Sequence, residues 1–173
     1  YPPAASRITR AGGYSRLDLE RVAALQPDLI IAWQSGNAAA HVDRLRVLGF
    51  RIYVSQPNRI DDVASEIERL GVLAGSAPVA GRAAEAFRQR FAGLQKRYGS
   101  RPPVRTFYEI WKQPLMTVGR QQIISDVIRL CGGDNVFGQL ETMAPTVTVE
   151  AVIAANPEAI VASGRAKPKA VSA

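Results

Sequence analysis

The chain has 173 residues, of which 47% are apolar and 21% charged, so it can form a folded core and is not intrinsically disordered by composition. Its formal net charge of +7 points to anionic partners, but the basic residues are scattered over predicted helix surfaces. No nucleic-acid-binding motif is present, no apolar run approaches the ~20 residues that span a bilayer, and the single cysteine, Cys131, excludes a disulfide within these residues.

The first predicted elements recur near the end of the chain. Residues 20–32 read ERVAALQPDLIIA, and residues 150–162 read EAVIAANPEAIVA. Each copy predicts a short helix that ends before a proline, then a short strand buried on both faces, as in a parallel sheet. The separation far exceeds the roughly 20–50 residues of a solenoid repeat. The repeat therefore predicts two similar lobes.

The region after the first copy alternates between helix and strand. The pattern predicts a helix that ends at Gly49, a strand over residues 50–54 and a helix whose cap is Asp61 or Asp62. Strands that alternate with helices are typical of a parallel α/β sheet with right-handed crossovers.

The next predicted helix is unusually long. Apolar residues recur at steps of three and four over residues 78–98, and Gly99 ends the pattern. At about 1.5 Å per residue the helix spans roughly 31 Å, which favours a stiff connection between two lobes. We therefore expect an N-terminal lobe over residues 1–74, the connecting helix within 75–100 and a C-terminal lobe over 101–173. The alternative is an ordinary crossover helix inside one domain.

The second half begins with a predicted strand over residues 104–110, followed by a loop and a helix over residues 123–130. Residues 131–137, CGGDNVF, are predicted to close that helix, with the glycines supplying positive φ. A dinucleotide-binding loop would precede a helix, whereas these glycines follow one.

No catalytic constellation is evident. His41 is the only histidine and has no metal-ligand spacing to other residues, and Ser35 lacks the flanking glycine of a nucleophile elbow. Glu20 and Glu150 are explained as acids in the first turn of a helix. We therefore expect neither an enzyme nor a bound metal or cofactor.

Several large side chains are predicted to lie in loops. Trp33 follows a predicted parallel strand at its carboxyl end, where open α/β sheets bind ligands. Aromatic groups that face one cleft suit a large flat ligand, although each could instead fill its own loop. The residues in this group are Tyr1, Tyr14, Trp33, Trp111 and Met116.

Residues 18–33, followed by Gly36 and Asn37, resemble the periplasmic cobalamin-binding proteins that supply a vitamin-importing ABC transporter. Residues 1–3, 117–119, 131–137 and 157–161 agree with this resemblance. Some of these segments are shared with the wider helical-backbone binding proteins, which include carriers of ferric siderophores and haem. Only the stretch over residues 32–37 points to cobalamin in particular.

The resemblance implies two Rossmann-like lobes joined by one long rigid helix, with the ligand held between them. It implies no protein ligand to cobalt, so His41 need not coordinate a metal. Met116 occupies a position where the family can use an aromatic residue, with Trp111 nearby. The implied ligand-binding residues are Tyr1, Tyr14, Trp33, Asn37, Trp111 and Met116.

The resemblance also implies a monomer that binds a corrinoid outside the cytoplasm, in the periplasm or lipid-anchored, and delivers it to the permease of an ABC importer. Family members dock through a surface acid on each lobe; the first position matches Ala39, so we expect weak docking. We further expect both lobes to be truncated. The alternatives are a ferric-siderophore carrier, which would use clustered arginines, a haem carrier with an axial Tyr or His, and a Rossmann-like enzyme.

Overall fold

The computed structural model describes residues 3–13 and 17–162. The chain forms two compact units, with the boundary between Gln56 and Pro57. Both units combine helices with a parallel sheet, which confirms the predicted α/β class. Tyr1 and Tyr14 lie outside the described residues.

The first unit begins with a short 3-10 helix, Pro3–Arg7, and continues with α1 (Leu19–Leu25), β1 (Ile30–Trp33), α2 (Ala39–Val47) and β2 (Ile52–Ser55). β1 and β2 are parallel, with Ile30 opposite Ile52 and Trp33 opposite Ser55. Helix and strand contribute to one small core, whose buried apolar residues are Val22, Ala32 and Leu45. This arrangement places Trp33 at the carboxyl end of a parallel strand.

The second unit is built around β3, which is parallel to both of its neighbours, β6 and β7. β4 and β5 form a separate antiparallel hairpin. The edge-to-face pair Phe107 and Phe137, with ring centroids 5.9 Å apart, lies in the core. The elements of this unit are α3 (Ile60–Leu73), α4 (Ala77–Tyr98), β3 (Val104–Glu109), β4 (Trp111–Lys112), β5 (Leu115–Met116), α5 (Ile123–Leu130), β6 (Gly133–Asn135), α6 (Val149–Ala155) and β7 (Ala159–Ala162).

The sequence repeat is also a repeat of local structure. α1 and α6 are each capped by a side-chain oxygen, from Asp18 and Thr148, that accepts the backbone N–H three residues later. Each helix ends on a left-handed residue, Gln26 with φ 44° and Asn156 with φ 45°. β1 and β7, the strands that follow, belong to different sheets.

The repeated strands are not buried on both faces, contrary to the expectation from their apolar runs. In β1, Ala32 is buried but Ile31 is 56% exposed, and in β7 Ile160 is 67% exposed. A run of apolar residues therefore identified the strands correctly but did not reveal which face the helices cover.

Two predicted boundaries also differ from the structure. Arg59, rather than Asp61 or Asp62, is the N-cap of α3; the Asp62 carboxylate reaches back and accepts the backbone N–H groups of Asn58 and Arg59 at 3.0 and 2.8 Å. Gly132, with φ 84°, ends α5 as expected, but Gly133 does not have the expected positive φ, and residues 133–135 form β6. The strand exists because it pairs with β3, a long-range contact that local composition does not encode.

Small residues allow α3 and α4 to approach closely. A Cβ built on Gly71 would overlap the Cβ of Ala80, and Ala84 is fully buried. Arg88 of α4 donates two hydrogen bonds to the Glu68 carboxylate of α3, at 2.7 and 2.9 Å, which holds the pKa of Glu68 below its ordinary value.

α4 matches the predicted long helix, while the division of the chain into lobes at residues 74 and 100 stays a prediction. In the described part of the chain, no helix combines the length and apolarity needed to cross a membrane.

Replacing Gly71 by alanine is expected to destabilise the protein by about 1–3 kcal/mol, because the new methyl group must displace Ala80 and part the two helices. Gly81→Ala on α4 is the matched control: a Cβ there meets no atom within 4 Å, so helix propensity should stabilise it by up to about 1 kcal/mol. Chemical denaturation measures both free energies of unfolding. Equal effects of the two substitutions would contradict the close packing.

Candidate functional site

Trp33 begins a turn that follows β1, and 53% of its surface is exposed. This position, at the carboxyl end of a parallel strand, agrees with the prediction from the sequence. Whether the ring binds a ligand stays a prediction.

Every backbone N–H of the turn from Trp33 to Asn37 is hydrogen-bonded. Gln34 donates to the Ser55 carbonyl and Ser35 to the Gln56 side-chain oxygen, at 3.1 and 3.0 Å, which ties the turn to the end of β2. The N–H groups of Gly36 and Asn37 both donate to the Trp33 carbonyl. The Trp33 N–H donates to Oδ1 of Asn37 at 2.6 Å. The turn is therefore fixed without a ligand.

Gly36 lies against the Trp33 ring. A Cβ built on Gly36 would overlap the six-membered part of the indole, so only a glycine leaves room for the ring in this position. The sequence suggested Trp33 and Asn37 as site residues but gave Gly36 no role. The only indication of this role in the sequence is that Gly36 follows Trp33 by three residues.

Trp111 and Met116 were expected in a loop, but they lie in the short strands β4 and β5, directly opposite each other in the hairpin. Side chains opposite each other in an antiparallel pair project from the same face, so the predicted proximity of Trp111 to Met116 is confirmed. Trp111 is 61% exposed, and its indole N–H donates to the Gln113 carbonyl at 2.8 Å, which fixes one edge of the ring. These residues belong to the second unit, whereas Trp33 and Asn37 belong to the first.

A third segment extends the hairpin. Met116 forms an antiparallel bridge with Thr146, the Val147 N–H donates to Leu115, and the Thr117 N–H donates to Pro145. The chain on both sides of Met116 is thus held by backbone hydrogen bonds to residues 145–147. Sequence reasoning did not identify this pairing, because the partners are distant along the chain.

Asn135 anchors the loop that follows Met116. Its side-chain amide donates to the Val118 carbonyl at 2.8 Å and to Ser125 Oγ at 2.9 Å, and its Oδ1 accepts the Phe137 N–H at 3.0 Å. Ser125 in turn donates to the Gly119 carbonyl at 2.8 Å. The network is buried, so its hydrogen bonds are shielded from water. It joins the Met116 loop to α5 and β6.

The described residues contain no cluster of three His, Cys, Asp or Glu side chains able to hold a metal ion. Glu150 has a local structural role: its own backbone N–H and the Thr148 hydroxyl donate to its carboxylate and lower its pKa. This agrees with its interpretation as an acid in the first turn of a helix rather than as a catalytic group.

Comparison with known proteins identifies a family. The family model described as a periplasmic binding protein matches residues 1–172. The chain is 38% identical over 166 residues to a vitamin B12-binding protein of Vibrio cholerae serotype O1, covering 96% of this chain and 60% of that protein. The chain thus spans about 60% of the length of the curated relatives it matches.

Solved structures agree with this assignment. The crystal structure of the periplasmic vitamin B12 binding protein BtuF of Vibrio cholerae matches with a TM-score of 0.85 and 38% identity, covering 94% of this chain and 64% of that one. A periplasmic heme binding protein from Pseudomonas aeruginosa matches with a TM-score of 0.81 and 24% identity, over 94% of this chain and 60% of that one, and shows the fold alone. The chain belongs to the periplasmic binding protein family, a class of non-enzymatic transport components, which confirms the expectation that it is not an enzyme.

Proposed function

We propose that the protein captures cobalamin or a related corrinoid outside the cytoplasm and delivers it to the permease of an ABC importer. The observation that carries the proposal is the Trp33 turn, which presents an exposed aromatic ring on a hydrogen-bonded backbone. The turn lies within the stretch that resembles cobalamin-binding proteins. The 38% identity to vitamin B12-binding proteins supports the same ligand class. The protein acts by binding, as a monomer, and performs no chemistry on the ligand.

The proposed architecture is two Rossmann-like lobes, residues 1–74 and 101–173, joined by a rigid helix within residues 75–100, with the corrinoid in the cleft between the lobes. The observed α4, Ala77–Tyr98, has 22 residues, and this length supports the proposed connection. The proposed ligand-binding site comprises Tyr1, Tyr14, Trp33, Asn37, Trp111 and Met116. Ala39, at the exposed start of α2, offers no carboxylate for docking, so the affinity for the permease is low.

A corrinoid suits the described part of the site better than the two alternative ligands. A siderophore carrier would use several arginines, whereas the described candidates Trp33, Trp111 and Met116 are uncharged. Haem would require an axial Tyr or His; the single histidine, His41, lies on α2 rather than in the Trp33 turn, and the described candidates include no tyrosine. Flat aromatic faces supply contact area to a large planar ring without coordinating its metal.

Isothermal titration with cyanocobalamin tests the proposal directly. We expect saturable binding of one corrinoid per protein, with haemin and a ferric siderophore unable to displace it, because the described candidates provide stacking area but no charged or axial group. Displacement by haemin would favour the haem-carrier alternative. Absence of any corrinoid binding would contradict the proposed function.

A further inference from the structure

We infer that Gly36 and Asn37 position the Trp33 ring for the ligand rather than contact the ligand themselves, an inference that rests on the proposed function of this site. The family resemblance placed Asn37 among the ligand-binding residues and assigned nothing to Gly36. The hydrogen bonds and packing of the turn indicate that both residues position the Trp33 ring.

The Asn37 side chain completes the backbone pairing of Trp33. Ile30 and Gln34 direct their N–H groups toward β2, so the N–H of Trp33, which alternates with them, points away from that strand. Oδ1 of Asn37 accepts this N–H at 2.6 Å. An N–H group can donate only to the oxygen of the amide, so this bond also determines the orientation of the Asn37 side chain.

Gly36 defines where the Trp33 ring lies. Its missing Cβ leaves the space that the indole occupies, and its φ is not positive, so the backbone itself does not require glycine. Any larger residue would therefore act on the ring rather than on the turn. With one part of the ring against Gly36 and 53% of Trp33 exposed, the turn presents a preorganised aromatic surface.

Substitutions at Asn37 separate positioning from ligand contact. Asn37→Asp keeps the oxygen that accepts the Trp33 N–H, whereas Asn37→Ala removes it. We expect Asn37→Ala to weaken cyanocobalamin binding roughly fivefold and Asn37→Asp to stay within about twofold of the unmodified protein. If Asn37→Asp is as weak as Asn37→Ala, the amide group itself contacts the ligand and the inference is wrong.

Gly36→Ala tests the ring directly, with Gly93→Ala, which meets no atom within 4 Å, as the control. We expect Gly36→Ala to weaken binding in the unmodified protein and to have no further effect in the Trp33→Ala background, because it acts through the ring. An equal loss in both backgrounds would overturn the inference. Gly93→Ala should leave cyanocobalamin binding unchanged in both the unmodified protein and the Trp33→Ala background.

A measurement without ligand distinguishes failure of this inference from failure of the proposed function. The chain has two tryptophans, so Trp111→Phe leaves Trp33 as the sole source of tryptophan fluorescence. In that background we expect the anisotropy of Trp33 to fall in Gly36→Ala and Asn37→Ala and to be retained in Asn37→Asp. Unchanged anisotropy in all three variants would overturn the positioning role, even if cyanocobalamin binds. A fall in anisotropy without corrinoid binding would support positioning and contradict only the proposed ligand.

Discussion

Replacing Trp33 by alanine is expected to weaken cyanocobalamin binding roughly tenfold or more while leaving the fold intact. The ring is 53% exposed, so the folded protein gains little from it, whereas a corrin ring would cover its open surface. Burying that aromatic area contributes about 1–3 kcal/mol, and 1.4 kcal/mol corresponds to about a tenfold change in the dissociation constant. The loss should therefore appear in binding rather than in stability.

Titration calorimetry measures the change in affinity, and thermal unfolding measures the stability of the same variant. Val47→Ala is the matched control, since Val47 lies on α2 of the same unit, is 76% exposed and is outside the proposed site. It should leave cyanocobalamin binding unchanged. If Trp33→Ala unfolds the protein, the ring belongs to the core and its assignment to the site is wrong.

Local rules were sufficient for much of the secondary structure. Asp18 and Thr148 cap helices that each end just before a proline, and the apolar runs that follow form strands. These features depend on residues within a few positions of one another, so a single sequence contains the information. The long α4 was predicted to within one residue at its start and correctly at its end. Its apolar residues recur at helical spacing, and Gly99 ends the pattern.

Features that depend on distant partners were not predictable in the same way. β6 exists because Gly133–Asn135 pairs with β3, and its sequence is otherwise that of a turn. The exposure of Ile31 depends on which elements cover the face of its sheet, and an apolar run is compatible with either outcome. Register and coverage are properties of the assembled sheet rather than of the segment.

The candidate site shows the same distinction. The position of Trp33 followed from its place at the carboxyl end of a parallel strand, and the proximity of Trp111 to Met116 was implied by the family resemblance. The supporting residues did not follow, because Gln56 and Asn135 act on backbone groups that are distant in sequence. The residues that hold the site in place are therefore less evident from the sequence than those that form its surface.

Asn135→Asp is expected to destabilise the protein by about 3 kcal/mol at neutral pH. The substitution keeps the shape of the side chain and the oxygen that accepts the Phe137 N–H, but it removes the donors to Val118 and Ser125. A buried carboxylate would then face the Val118 carbonyl oxygen without a proton between them. Leaving buried polar groups unpaired costs about 1–3 kcal/mol each, and more when one is charged.

The pH dependence of this loss identifies its cause. Burial and the facing carbonyl should raise the pKa of the new carboxyl above its value in the unfolded chain. The destabilisation should therefore be smallest below the unfolded pKa, where the protonated carboxyl can donate to Val118, and should grow as the pH rises through the folded pKa. Chemical denaturation of the variant and the unmodified protein at several pH values measures this difference. Gln139→Glu, the same change at an exposed position, should show little pH-dependent difference. A pH-independent loss in Asn135→Asp would mean that the charge of the buried carboxylate is not its cause.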